Sequence, residues 1–361
     1  LELLCFHMKG GWVKKPIANA RAKTGRRPVT ARWIDVNTGD GQDPNYRSRL
    51  VARQLEAHGM SGETYFAPAL PLEALRTVIS MAMTTCDKHR PIYDPSSPQR
   101  MQMSFVDVKR AYFNAKVDRE AAPCFVELPR EDPEWGKMCA ELVRHMYGTR
   151  PAADGWQEEC STALVRMGFR QGIACPNVFR HTDRQISCSV HGDDFTSCGP
   201  ADALDWLETS IAEEYEISVG PRLGPGPNDA KHARALDRVI TWHEDRIEYE
   251  ADPRQAERLV SECGLTGSNP MATPGAKITY QEHEADKPLE KEWHTAFGCS
   301  VARSNYLSAD RIDCQYGCKG ICRSMSSPSG KAGTLSRDWA ATYAGRPDWY
   351  TLTVARLQTV L

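Results

Sequence analysis

At 361 residues, with 41% hydrophobic and 25% charged side chains, the chain has the make-up of a globular protein long enough for two or three subdomains. No run of about 18 apolar residues exists, which excludes a transmembrane helix, and the short apolar start Leu1–His7 lacks a secretion-signal pattern. The net charge of −2 hides an asymmetry: residues 1–55 hold 11 Lys/Arg against 4 Asp/Glu, which suits either a phosphate-bearing partner or a flexible basic arm.

Taken in chain order, residues 1–28 read as a frayed basic lead-in. Val29–Val36 and Tyr46–Gln54 read as strands of a hairpin around the turn-rich Asn37–Asn45. Leu72–Thr85 has the three- and four-residue apolar spacing of a helix, and Met101–Val108 is an apolar strand running into Asp107. Gly155–Met167 reads as a helix stopped by Gly168. In Gln185–Val190, apolar Ile186, Cys188 and Val190 alternate with polar residues, the pattern of a half-buried strand. Phe195–Cys198 continues as a second strand, so Gly192-Asp193-Asp194 falls at a tight hairpin turn.

Ala201–Tyr215 is an amphipathic helix, and Gly220–Gly226, with three Gly and two Pro, marks a hinge. Beyond it, Val239–Trp242 and Ile247–Tyr249 suggest a small hairpin and Pro253–Cys263 a helix. Ser268–Gly275 follows as a loop, then helical stretches at Ala296–Leu307 and Ile312–Met325. The 13 cysteines are scattered and odd in number, as expected of free thiols in a reducing, intracellular setting. Cys314, Cys318 and Cys322, four apart, fit a buried helix face better than a zinc site, which uses tighter pairs with His.

Chemistry concentrates in the carboxylates. Aspartates beside an apolar strand are costly unless paired, hydrogen-bonded or metal-bound. Three converging from adjacent strands could hold two hard divalent ions, one activating a primer 3′-hydroxyl and the other stabilising leaving pyrophosphate. A Gly-Asp-Asp turn alone is common, and Asp107 alone could simply end a strand. The case rests on their combination with the words around them.

Phe105-Val-Asp-Val-Lys-Arg-Ala-Tyr-Phe-Asn114 resembles the copia-type retrotransposon polymerase motif of Asp-Val-Lys followed by Ala, an aromatic and Asn. Arg47–Arg53 looks like that family's basic strand, Thr64–Pro68 with Arg76 like its TFAP segment, and Met146–Arg150 with Trp156 like its LYGLKQ…W word. His191-Gly-Asp-Asp194 stands where the family has Tyr-Val-Asp-Asp, and Ser304–Asp313 with Met325–Pro328 resembles the stretch that follows the polymerase. These matches keep their order from about Val29 to Tyr350.

The resemblance implies a reverse transcriptase, an RNA-directed DNA polymerase. Its fold would be an α+β right hand of fingers, palm and thumb, with an antiparallel palm sheet backed by helices. Fingers and the start of the palm would fall at 29–100, the palm with an inserted fingers segment at 101–219, and a thumb or connection at 220–361, with the family's RNase H domain and the preceding integrase absent. Without an initiator Met, the chain reads as a piece of a longer frame.

The same resemblance implies that Asp107, Asp193 and Asp194 are the catalytic, metal-binding triad for two Mg²⁺ or Mn²⁺ ions. Tyr112 would be a steric gate against a ribose 2′-hydroxyl. Arg47, Arg49 and Arg53, of one strand parity, would grip a triphosphate or template backbone or else form a solvated basic face. Arg76 and Lys109 would touch nucleic acid. Expected partners are an RNA template, a DNA or RNA primer and deoxynucleoside triphosphates, in a cytoplasmic particle or the nucleus, without a membrane.

Three positions depart from the family pattern. His191-Gly192 replaces Tyr-Val, and Pro151 replaces a Gln, removing a side-chain donor. Two alternatives are a decayed remnant that keeps the fold without activity, and an RNA-dependent RNA polymerase. The latter usually carries a second Asp where Tyr112 stands.

Overall fold

The computed structural model describes residues 2–37, 43–54, 69–83, 97, 100–120, 122–274, 286–344 and 352–355. Thr64–Pro68, residues 38–42 of the expected turn and Tyr350 lie outside the described residues. The chain divides into two compact units, one ending at Arg222 and the other, which also takes Met83, beginning at Leu223. That division falls inside the Gly- and Pro-rich stretch Gly220–Gly226.

The first unit opens with α1 (Glu2–Met8), β1 (Trp12–Pro16) and α2 (Ile17–Thr24), then the hairpin β2 (Ala31–Asn37) and β3 (Tyr46–Ala52) and helix α3 (Leu72–Met83). It continues through β4 (Met101–Val108), β5 (Phe125–Glu127), β6 (Met138–Leu142), α4 (Ala152–Arg166), β7 (Arg170–Gln171), β8 (Val178–His181), β9 (Ile186–His191), β10 (Asp194–Pro200), α5 (Ala201–Glu214) and β11 (Ile217–Val219). Its main sheet is six-stranded and antiparallel throughout, in the order β11-β4-β10-β9-β8-β7. A smaller sheet runs β1-β6-β5.

Period-two alternation assigns the two faces of the main sheet. Val106, Val108, Ile186, Cys188, Val190 and Phe195 face α4 and α5, where Trp156, Cys160, Leu164, Leu204, Leu207 and Ile211 complete one core. The opposite parity of β9 meets α3, where the Ser187 hydroxyl contacts Met81 Sδ at 3.4 Å. The reading of β9 as half-buried therefore needs correcting. Ser187 and Ser189 are each 1% exposed. Their hydroxyls are satisfied inside, Ser187 by Arg180 Nη1 at 2.7 Å and Ser189 by donating to the Thr196 carbonyl at 3.3 Å.

The frayed lead-in is also corrected. Phe6 is buried against Phe113 and Trp12, with ring centroids 4.5 and 5.2 Å away, and β1 pairs with β6 from Trp12↔Leu142 to Pro16↔Met138. Lys14 is bridged to Asp132 and Glu134, and Lys23 to the buried Glu141, each at 2.8 Å. A count of charge along the first residues cannot reveal acids that arrive from a later part of the chain.

The second unit holds β12 (His232–Ala235), β13 (Arg238–Trp242) and β14 (Arg246–Ala251), helices α6 (Pro253–Glu262), α7 (His294–Ser308), α8 (Gln315–Cys322) and α9 (Gly330–Ala341), and β15 (Leu352–Ala355). The strands make an antiparallel sheet in sequence order, and the helices pack around Leu259, Val301, Ile321 and Trp339. Cys314 and Cys318 are buried in that core and Cys322 packs against it, the helix face expected of them. Among the described residues, no helix is long and apolar enough to cross a membrane.

Candidate active site

The turn between β9 and β10 is a two-residue loop, because His191 pairs with Asp194 and leaves Gly192-Asp193 at the tip. Gly192 has φ +61° and Asp193 does not have positive φ, the pattern of a type II′ turn. Such a turn wants Gly at its first central position, so the Gly that departs from the family word suits this backbone.

Strand β4 runs beside β10 with Asp107 opposite Asp194 and Ser104 opposite Ser197. The Val108 N–H donates to the Asp193 carbonyl at 2.9 Å, which puts the Asp107–Asp194 pair in a non-hydrogen-bonded position. Opposed Cα atoms approach to about 4.5 Å in that register, and like charges facing each other there repel. Asp107 is exposed while Val106 and Val108 on either side are buried. Its carboxyl is held above the usual carboxylate range, first by desolvation and then by the charge of Asp193; Arg47, Lys109 and Arg49 oppose the shift. The charge of Asp193 is felt at Asp107, and Asp194 stands directly opposite Asp107 across the two strands. Among the described residues, no three His, Cys, Asp or Glu side chains converge as a ready metal-ligand set.

After β4 the chain reverses through Arg110, whose φ of 53° and ψ of 45° are left-handed, into a 3-10 turn at Ala111–Asn114. Arg110 is held there by Glu216 at 3.1 Å and Glu2 at 3.6 Å. The reversal brings the half-buried Tyr112 against the main core and against Tyr147, with ring centroids 5.1 Å apart. Burial, and then the charge of Asp193, raises the Tyr112 hydroxyl above its ordinary pKa, so the phenol stays protonated near the acids.

Among the expected cations, Arg47 and Arg49 lie on the face of β3 opposite Leu50 and Ala52, which enter a core with Phe113 and Met146. The Arg49 guanidinium sits over the Tyr147 ring, 5.2 Å from its centroid. Arg53 follows the strand, exposed, with its backbone N–H on the Thr30 carbonyl at 2.8 Å; no contact among the described residues ties it to the acids. Lys109 is exposed and paired with Glu216 at 3.3 Å. Arg76 is half-buried on α3.

Two partners of the site were not legible from sequence. Tyr147 joins Tyr112 to Arg49, and the indole N–H of Trp156 donates to the Gly192 carbonyl at 2.7 Å. Both residues lie in recognised words, but nothing local in the sequence tells what they touch.

No family model matches the chain. The retrovirus-related Pol polyprotein from transposon RE2 of Arabidopsis thaliana is 23% identical over 338 residues, covering 89% of this chain and 20% of that protein. The expected resemblance to a retrotransposon polyprotein is thereby borne out at low identity. Among solved structures, a foamy viral protease-reverse transcriptase in complex with double-stranded DNA superposes with a TM-score of 0.46 at 9% identity, over 94% of this chain and 46% of that one. The chain thus spans about a fifth of the curated relative and less than half of the solved one.

Proposed function

We propose that the chain is an RNA-directed DNA polymerase of the copia type, adding deoxynucleotides to a primer 3′-hydroxyl on an RNA template. The observation that carries this reading is the register that sets Asp107 beside the Gly192-Asp193-Asp194 hairpin on adjacent antiparallel strands. The low-identity likeness to a transposon Pol polyprotein supports it. In this reading the six-stranded sheet is the palm, the β2–β3 hairpin belongs to the fingers, and the unit from Leu223 onward is a thumb or connection.

Asp107 and Asp193, with Asp194, would hold Mg²⁺ or Mn²⁺. Their fit is supported by donor chemistry and by charge: all are hard oxygen donors, and the negative charge of Asp193 bears on Asp107. Two such ions, when bound, supply activation of the 3′-hydroxyl and stabilisation of the leaving pyrophosphate. Substrate phosphates would complete the coordination, since Mg²⁺ is commonly held by one or two carboxylates plus phosphates. Arg47 and Arg49, with Arg53 beyond the strand, offer guanidinium forks for phosphate. Tyr112 would press on the sugar edge, and Arg76 and Lys109 would contact the nucleic acid. An intracellular location goes with such a substrate.

One observation favours the second reading, a remnant that keeps the fold without activity: no ready three-ligand set exists among the described residues. Primer extension on poly(rA)/oligo(dT) with Mg²⁺ or Mn²⁺ separates the two. Extension by the chain and none by the Asp193→Asn, Asp194→Asn double variant is the expected result. No metal-dependent extension by the unaltered chain would sink the polymerase reading and leave the remnant.

A further inference from the structure

We propose that Trp156 is a positioning residue that sets the type of the acid-bearing turn, and so aims Asp193. The inference rests on the polymerase reading for its catalytic consequence, but its structural content stands on the hydrogen bond alone.

A two-residue hairpin loop has a central peptide, here the Gly192–Asp193 amide, that is free of the strand ladder. Rotating that peptide plane interconverts the two favoured hairpin turns. With one orientation both central residues need positive φ; with the other only the first does. Gly192 has φ +61° and Asp193 does not have positive φ, so the second orientation is present. The peptide flip, a rotation about the Gly192–Asp193 Cα–Cα axis, would move the Gly192 carbonyl to the far side of the loop, make φ of Asp193 positive and tilt its Cα–Cβ bond.

What holds the carbonyl where it is comes from α4. The Trp156 Nε1–H meets the Gly192 oxygen at 2.7 Å. Trp156 is 2% exposed, so its N–H is shielded from water and the Gly192 carbonyl is the partner that satisfies it. The ring cannot follow a moving loop, because it is packed edge-on against Tyr215, with centroids 5.2 Å apart and planes at 74°, inside the core shared by α4, α5 and the sheet. A flipped peptide would therefore strand a buried donor, at a cost the present orientation avoids. The tilt of Asp193, the acid whose charge is felt at Asp107 and Tyr112, is thus set from behind the turn by a residue of the helical layer.

Two variants test this on the full chain: Trp156→Phe, which keeps an aromatic ring, and replacement of Trp156 by the isosteric benzothienylalanine, which removes only the donor. Hydrogen exchange read by mass spectrometry should quicken in the peptide spanning residues 188–194 in both, while peptides of α4 and α5 keep their protection. Mn²⁺ affinity by calorimetry and kcat for primer extension should each fall about tenfold, the factor that a lost buried hydrogen bond converts to, with the KM for primer–template unchanged. Unchanged exchange at the turn in the benzothienylalanine chain overturns the proposal whatever the activity. Faster exchange with Mn²⁺ affinity and kcat unaltered overturns the aiming of Asp193. An unaltered chain that never extends a primer overturns the polymerase reading, and the exchange result still decides whether Trp156 fixes the turn.

Discussion

Two glycines of positive φ and opposite surroundings give a quantitative test of how β3 is tied to the site. Gly148 has φ +80°, and a Cβ there would lie 1.9 Å from the Ala52 carbonyl oxygen and 2.6 Å from Val51 Cγ1. Gly192 has φ +61°, and a Cβ there would meet nothing within 4 Å. Gly192→Ala therefore has only the strain of its positive φ to bear, about 1–3 kcal/mol, less about 0.4–1 kcal/mol regained by restricting the unfolded chain. Gly148→Ala also starts from a positive φ and must in addition push β3 away. That movement weakens two backbone bonds, Ala52 N–H to the Tyr147 carbonyl at 2.8 Å and Gln54 N–H to the Gly148 carbonyl at 3.3 Å. At about 0.5–1.5 kcal/mol each, these make Gly148→Ala about 1–3 kcal/mol worse than Gly192→Ala. Urea unfolding of both variants beside the unaltered chain, compared at constant m, measures the difference. Equal midpoints for the two variants would refute the close approach of β3 to the Tyr147–Gly148 turn.

Asp107 is harder to ionise folded than unfolded, so its charge subtracts stability as pH rises from the unfolded value through the raised folded one. Asp107→Asn should therefore raise the urea midpoint near neutral pH while abolishing extension, and the gain should vanish below the ordinary carboxylate range; a lower midpoint at neutral pH contradicts this. Burial opposes ionisation of Glu141, but its bonds to Lys23 at 2.8 Å and Arg119 at 2.7 Å prevail and hold its carboxyl below the usual range. Glu141→Gln should cost about 1–3 kcal/mol near neutral pH. The gap should close as pH falls through the depressed folded value, and a gap that is independent of pH would argue against the paired charge. Tyr112→Ala should admit ribonucleotides in primer extension, and unchanged sugar selectivity would remove the gate.

The acid hairpin could be read from sequence because its signals are local. An apolar run ends at Asp107, and two short strands flank Gly192-Asp193-Asp194 within a single stretch of chain, so period and turn chemistry suffice. The N-terminal elements could not be read this way. Trp12–Pro16 contains two lysines and a proline, a poor strand by composition, and becomes one only by pairing with Met138–Leu142. The same limit hid the burial of Ser187 and Ser189, whose polar side chains signal an exposed face unless α3 is known to cover them. Helix α4 starts at Ala152, three residues before the expected Gly155, and Pro151 immediately precedes its first turn, where a missing N–H costs nothing.

That helix start bears on two of the departures from the family words. Pro151 removes a side-chain donor, which counts against nucleotide contact, yet it leads directly into the helix that delivers Trp156 to the turn five residues on. Gly192 removes a branched side chain at a position with φ +61°, where such a residue would be strained. The backbone of the acid turn is therefore under less strain than the family word would impose, and its orientation depends correspondingly more on the hydrogen bond from Trp156. A Gly192→Val variant would test that trade. Strain should lower its stability by about 1–3 kcal/mol, while the narrower torsional freedom of valine should leave turn exchange less sensitive to loss of the Trp156 donor. Equal sensitivity in the unaltered and Gly192→Val backgrounds would separate the hydrogen bond from the choice of turn residue.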